Sequence, residues 1–299
     1  VAISGELLLA FTTLLGATSY IGTKFVLEEI TPLATTFYRF LLGFLCLVIA
    51  RPKTLFDVSR EVARAGAILG ALIGFSITLL FSGLRVTEAG LAAFLCNSEF
   101  LIIPLIELIL FRRFVPRYTF QSILVGLLGV ILLMLSETSG RNSGLAGQFY
   151  LLGAALGFSF IAILNVRFAR TLPVYPLATV MMLSATVFSG ATAALAGEMV
   201  VPGGRALWIL LYLGVVVTGL RFFLVLVAQR TVSATHTGII YLLEPVLAAL
   251  FGVLIFAETV GAMKLSGMLL MVASTLMIFR LKLAKPDQQI GALTDSPAP

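Results

Sequence analysis

The chain is a succession of apolar runs of about 20 residues, the length at which one α-helix crosses the hydrocarbon core of a bilayer. They fall at 6–25, 31–50, 65–84, 88–111 and 118–136, then at 145–166, 176–197, 205–228, 234–257 and 261–281. The connections are too short to fold as separate extramembrane domains. Runs this long and continuous do not read as the alternating strands of a barrel, and a helix satisfies its own backbone in lipid. Composition agrees: 60% of the 299 residues are hydrophobic, 11% are charged and the mean hydropathy is +1.09. Too few polar side chains remain to cover a soluble domain of this size. An ordinary soluble enzyme, a disordered chain and a fibrous protein are excluded. The expected fold class is an all-α integral membrane protein with ten transmembrane helices.

Punctuation supports these boundaries. Pro32 and Pro176 stand at helix starts, where a missing N–H costs no hydrogen bond. Gly140, Asn142 and Gly144 mark a turn between the two halves, and Pro202, Gly203 and Gly204 mark another. The first run lacks a basic segment and a cleavage site, so it reads as a retained span. Cys46 and Cys96 both fall inside apolar runs and read as small buried hydrophobes, with no disulfide framework and no metal spacing.

Basic residues orient the expected topology. Arg51, Lys53, Arg60, Arg64, Arg112, Arg113, Arg117, Arg167, Arg170, Arg230, Arg280, Lys282 and Lys285 fall on one side. Only Lys24, Arg85, Arg141, Arg205 and Lys264 fall on the other. The positive-inside bias puts both termini in the cytoplasm. The net charge of +6 is thereby a topology signal, and no nucleic-acid partner is expected, because there is no soluble module with a basic face.

Sliding the second half on the first aligns Arg85–Met134 with Arg230–Phe279 without gaps. Leucine and alanine matches between apolar helices carry little information. An intramembrane glutamate at equivalent positions, Glu99 and Glu244, carries much more. Each half holds five runs, an odd number, so the second half enters the membrane from the opposite side. That is an inverted repeat, an architecture of secondary transporters whose substrate sites lie near the midplane.

The motifs then resemble a known family, the EamA-type members of the drug/metabolite transporter superfamily. The first half carries G-A-T-S-Y-I-G-T-K from Gly16 to Lys24, then Pro32 and Arg39-Phe40. The second carries L-Y-L-G-V-V-V-T-G-L from Leu211 to Leu220 and L-L-E-P-V-L-A-A-L-F-G-V-L-I-F-A-E from Leu242 to Glu258. Two departures stand out: the first-half counterpart of Glu244-Pro245 is Glu99-Phe100, and Leu15 replaces the usual tryptophan before Gly16. The resemblance implies two five-helix repeats, 1–139 and 140–284, followed by a cytoplasmic tail, 285–299. It further implies export of amino acids or related small metabolites, aromatic amino acids among them, across the inner (plasma) membrane, with no cofactor.

Charge at membrane depth singles out candidate residues, since a charged group at helix centre costs roughly 2.5–3.5 kcal/mol on insertion scales. Glu99 and Glu244 lie near the middle of the fourth and ninth runs. Each either lines a substrate cavity, holding an amine or a proton, or struts two helices. Arg39 either holds a carboxylate or braces a helix. Arg221 stands where the family more often has an aromatic residue; it either snorkels to the interface or draws carboxylate-bearing substrates into a cavity. Pro104 and Pro245 interrupt the helical ladder of the fourth and ninth runs, a pattern of transporter sites and also of packing kinks. Asn97, Ser98, Tyr241, Asn165, Ser76 and Thr78 are polar groups that either orient a zwitterion or bond across helices. Tyr20, within the first motif, joins the candidate binding set. Phe75 and Phe158 either wall an apolar pocket or face lipid and core. His236 serves either as a proton-coupling group or as a helix-end residue.

Glycines at 66, 70 and 74, and again at 153 and 157, let helix backbones approach closely, at an internal contact or at a dimer interface. A monomer or weak dimer is expected. An intramembrane enzyme is disfavoured: G-x-S-x-G and H-E-x-x-H are absent, and one histidine with two separated cysteines builds no zinc site. A channel would want a filter or a charge ring. No G-x-x-x-x-G-K-[ST] loop is present to couple ATP.

Overall fold

The described residues of the apolar runs are mostly helical, and among the described residues there is no strand. The structure, a computed structural model, describes residues 5–56, 58–111, 117–136, 145–232, 237, 240, 241 and 243–283. His236, the inter-repeat turn at Gly140, Asn142 and Gly144, and the 285–299 tail lie outside the described residues.

The first half contains α1 (Gly5–Val26), α2 (Pro32–Ala50), α3 (Arg60–Val86), α4 (Ala89–Cys96), α5 (Glu99–Phe111) and α6 (Arg117–Ser136). The second contains α7 (Leu145–Thr171), α8 (Val174–Leu195), α9 (Gly204–Tyr212), a π-helical stretch (Leu213–Leu220), α10 (Arg221–Ala228), α11 (Leu243–Phe256) and α12 (Ala262–Leu283). Among the described residues five helices are long and apolar enough to cross a membrane: Pro32–Ala50, Arg60–Val86, Leu145–Thr171, Val174–Leu195 and the continuous Gly204–Ala228.

Local chemistry sets several ends. Thr31 accepts a hydrogen bond from the Ala34 N–H at 3.3 Å, with Pro32 at the first helical position of α2. Ser59 caps α3 likewise, through the Val62 N–H at 3.2 Å. Helix α8 ends at Gly197, whose φ of +67° is left-handed. There the Glu198 N–H folds back onto the Ala193 carbonyl at 2.9 Å.

The fourth apolar run is two helices. The break falls at Asn97–Ser98, upstream of the expected break at Pro104, and α5 continues through residue 104. Its cause is side-chain competition. Asn97 Nδ2 donates to the Ala93 carbonyl at 3.0 Å and Ser98 Oγ to the Leu95 carbonyl at 2.7 Å, taking up carbonyls at the end of α4. Pro245 stands in the first turn of α11, where its missing N–H breaks no bond of that helix.

The glycine stripe packs inside the molecule. A Cβ at Gly66 would meet Val180 Cγ1 at 2.6 Å, and one at Gly70 would meet Ser184 Cβ at 2.5 Å, both on α8. Ser184 Oγ also donates to the Ala67 carbonyl at 2.9 Å. Gly153 and Gly157 face Leu79 and Ser76 of α3. Helix α3 is thereby clamped between α7 and α8, while the short α4 is buried along its whole length. Close approach maximises dispersion contacts, the main association force available where lipid is as apolar as the side chains.

Candidate substrate cavity

Helices α1, α2, α3, α5, α7, α10 and α11 surround a cavity of about 110 Å³, measured as the volume open to the centres of water-sized molecules. It gathers Tyr20, Asn97, Glu99, Phe158, Asn165, Arg221, Tyr241 and Glu244 from the expected binding set, and Arg39 as well.

Four expected lining residues lie elsewhere. Phe75 is 50% exposed on the outer face of α3. Thr78 Oγ1 donates to the Gly74 carbonyl at 2.9 Å and toward Thr36 at 3.4 Å, across to α2. Ser76 donates to the Leu72 carbonyl and Ser98 to the Leu95 carbonyl, so both hydroxyls serve their own helices. Pro245 is also absent from the described lining.

Two arginines serve the cavity differently. Arg39, 3% exposed, donates from Nε to Thr218 Oγ1 at 3.1 Å, and from Nη1 to Ser19 at 3.0 Å and Thr23 at 2.8 Å. Its guanidinium lies over the Phe81 ring, 5.0 Å from the centroid. It thus braces α1, α2 and the π-helical stretch. That stretch presents Thr218 while Gly214 and Gly219 let α2 approach at Gly43. Among the described residues no carboxylate pairs with Arg39.

Arg221 is held at both ends. Its Nε donates to the Thr12 carbonyl at 2.9 Å, and its Nη2 meets Glu244 Oε2 at 2.5 Å. The pair is shielded: side-chain exposure is 14% for Arg221 and 9% for Glu244. Gly16 lies against both groups, and a Cβ there would fall 2.6 Å from Arg221 Nη2 and onto the Glu244 carboxylate. The snorkelling position open to Arg221 from sequence is not the one it adopts.

Glu99 and Glu244 share a placement. Each stands in the first turn of its half-helix, α5 and α11, where the helix dipole favours a carboxylate. Their partners differ. Among the described residues the Glu99 carboxylate has no ion pair or hydrogen bond, although its main-chain carbonyl accepts from Ser159. Asn165 Oδ1, Gln229 Oε1 and Tyr241 Oη are buried along the cavity without a hydrogen-bond partner among the described residues. Such orphan groups are rare in protein interiors and mark where a ligand or solvent completes the bonding. Ser19, Thr23, Gln229 and Thr237 were not singled out from sequence; the first two sit in the G-A-T-S-Y-I-G-T-K motif and carry its only signal.

One end of the cavity is tied by charge. Thr23 lines the cavity, and the next residue, Lys24, meets Glu258 Oε1 at 3.0 Å. The Glu258 carboxylate also accepts from the Ala89 N–H at 2.6 Å and the Gly90 N–H at 3.1 Å, capping the N-terminus of α4. It is sent there by Ala257, whose φ of +50° is left-handed and sterically strained for a residue with a Cβ. Beside it, Lys264 of α12 pairs with Glu88 and reaches the Thr259 carbonyl at 3.4 Å. Phe25 and Phe256 pack at 4.9 Å below these pairs. Among the described residues no group of three or more potential metal ligands occurs.

The profile of the EamA-like transporter family matches residues 3–135 and, a second time, 145–280. The chain belongs to the EamA-like transporter family. An uncharacterized transporter of Clostridium kluyveri is similar to this EamA-family chain, with 24% identity over 280 residues, 86% of each protein. A protein of known crystal structure shares the fold, with a TM-score of 0.67 at 21% identity, over 93% of this chain and 98% of the other. The protein is therefore a multi-pass membrane transporter of the EamA family.

Proposed function

We propose that this EamA-family protein is a secondary transporter that exports amino acids and related small metabolites across the inner membrane by alternating access. In this reading ten membrane segments form two inverted five-helix repeats, 1–139 and 140–284, with both termini cytoplasmic. The protein works as a monomer or weak dimer.

The observation that carries this reading is the cavity itself. It holds a carboxylate with no partner and a buried arginine with no counter-ion among the described residues, together with orphan amide and phenol oxygens. Uncompensated buried charge is costly in the interior, and a zwitterion offers a complement to both signs. Phe81, Phe158, Phe222 and Tyr20 add aromatic wall, which favours hydrophobic and aromatic amino acids. The Lys24–Glu258 and Lys264–Glu88 pairs support alternating access, because they close one end of the cavity with contacts that can exchange as a set. On the proposed topology that end is non-cytoplasmic.

The test is uptake of radiolabelled phenylalanine, methionine and threonine into proteoliposomes containing the purified chain. Saturable flux of at least one is expected. Failure of all three to cross would remove the amino-acid reading.

A further inference from the structure

We propose that Arg221 sets the charge selectivity of the cavity by occupying, as a built-in cation, the place on Glu244 that a cationic substrate would otherwise take. The proposal rests on the reading of the cavity as a substrate site.

The geometry has four parts. Arg221 Nη2 contacts Glu244 Oε2 at 2.5 Å, so the carboxylate already has a charge-assisted partner. Arg221 Nε is anchored to the Thr12 carbonyl at 2.9 Å, so the guanidinium is fixed by its own protein. Gly16 leaves room for the pair where any side chain would collide with it. Aromatic faces complete the site: the guanidinium lies 5.7 Å from the Tyr241 ring centroid and 5.9 Å from that of Phe222.

Charge accounting gives the consequence. With Arg221 in place the cavity carries two arginines and two glutamates, Arg39 and Arg221 against Glu99 and Glu244. An added monocation without a carboxylate finds Glu244 already satisfied and has only Glu99 left to pair with. Without Arg221, Glu244 becomes a buried carboxylate lacking a counter-ion, and the cation position it faces lies 5.7 Å from the Tyr241 ring centroid and 5.9 Å from that of Phe222. A carboxylate facing such a position is a receptor for an organic cation: a primary or quaternary ammonium on a hydrophobic body. Arg221 is therefore a specificity-determining residue, a device that keeps amines lacking a carboxylate off Glu244 by filling that site from within.

The experiment measures binding to the purified full chain at mildly alkaline pH, with phenylethylamine as the cation and phenylalanine as the zwitterion. Wild type, Arg221→Gln and the double variant Arg221→Gln/Glu244→Gln are compared. Arg221→Gln is expected to bind phenylethylamine about tenfold or more tightly than wild type, the scale of one charge-assisted hydrogen bond. The double variant, lacking both charges, is expected to lose that gain. An Arg221→Gln protein with unchanged amine affinity, or a gain that survives in the double variant, overturns the proposal. If Arg221→Gln does not fold, the double variant decides: it must fold and bind phenylethylamine no more tightly than wild type does, and tighter amine binding by it contradicts the account. Failure of wild type to bind phenylalanine, with the amine gain intact, would sink the amino-acid reading and leave this one standing.

Discussion

Glu258 accepts a hydrogen bond from the main-chain N–H of Ala89 at 2.6 Å, so a residue two positions beyond α11 is also the cap of α4. The same carboxylate binds Lys24 at the end of α1. One side chain thereby ties three helices at one end of the cavity, two from the first repeat and one from the second. Shifted back by the offset that aligns Arg85 with Arg230, Glu258 falls on Arg113, so this acid does not recur at the matching position of the first half of the sequence.

If this tie closes the cavity, Glu258→Gln weakens the Lys24 contact and the cap together and shifts the protein toward opening at that end. Ser19 lines the cavity close to the tie, and Ser19→Cys in a background lacking Cys46 and Cys96 reports on access. Labelling by an impermeant maleimide from the tie side should rise severalfold, about the shift expected when roughly 1–3 kcal/mol of charged hydrogen bonding is lost. Equal labelling with and without Glu258, or a rise from the opposite face instead, would refute the closure.

The two ion pairs should respond differently to charge reversal. Lys264 and Glu88 pair with each other, so Lys264→Glu/Glu88→Lys should restore much of what either single change removes. Lys24→Glu/Glu258→Lys should not, because an ammonium at position 258 cannot accept the Ala89 and Gly90 N–H groups. Thermal unfolding of the purified variants separates the two cases. Equal rescue of both pairs would mean that capping of α4 contributes nothing.

Gly16 is predicted to be intolerant of even a methyl group. Gly16→Ala places a Cβ against Glu244 and Arg221, and overpacking of this kind costs about 1–3 kcal/mol. Gly22 is a fair control on the same helix, since a Cβ there meets side-chain methyls, of Leu213 at 3.1 Å and Ile209 at 3.5 Å, and no charged group. A melting temperature lowered by Gly16→Ala no more than by Gly22→Ala would show that the Arg221–Glu244 pair yields easily.

Phe158 lines the cavity and Phe75 faces outward. Phe158→Ala should therefore raise the KM for an aromatic substrate about tenfold or more, in the range that loss of apolar pocket contacts produces. Phe75→Ala should leave KM within about twofold, as substitutions away from a site do. A Phe75 effect as large as that of Phe158 would mean the cavity is not the route taken.

The sequence made the helices legible because apolar runs of bilayer length have few alternatives. It also exposed Glu99, Glu244, Arg221 and Asn165, since charge or amide groups in such runs stand out. It could not tell Phe75 from Phe158. On a helix facing lipid on one side and protein on the other, both faces are apolar and periodicity loses its meaning. Ser76, Thr78 and Ser98 misled for another reason, because short hydroxyl side chains satisfy themselves on their own helix. Pro104 drew the expected break, yet Asn97 and Ser98 made it by capturing carbonyls. The Arg221–Glu244 pair joins residues on separate helices, and Glu258 closes a motif in sequence that says nothing of its cap on α4. Only packing in three dimensions reveals either.

Counterflow in proteoliposomes tests the central claim most directly. Vesicles containing the purified chain are loaded with unlabelled phenylalanine and placed in a trace of labelled phenylalanine. A carrier that exposes one site alternately to each face should accumulate label transiently above equilibrium, and Glu99→Gln should reduce that overshoot. Flux that equilibrates without overshoot and does not saturate would contradict alternating access and mark the protein as a channel.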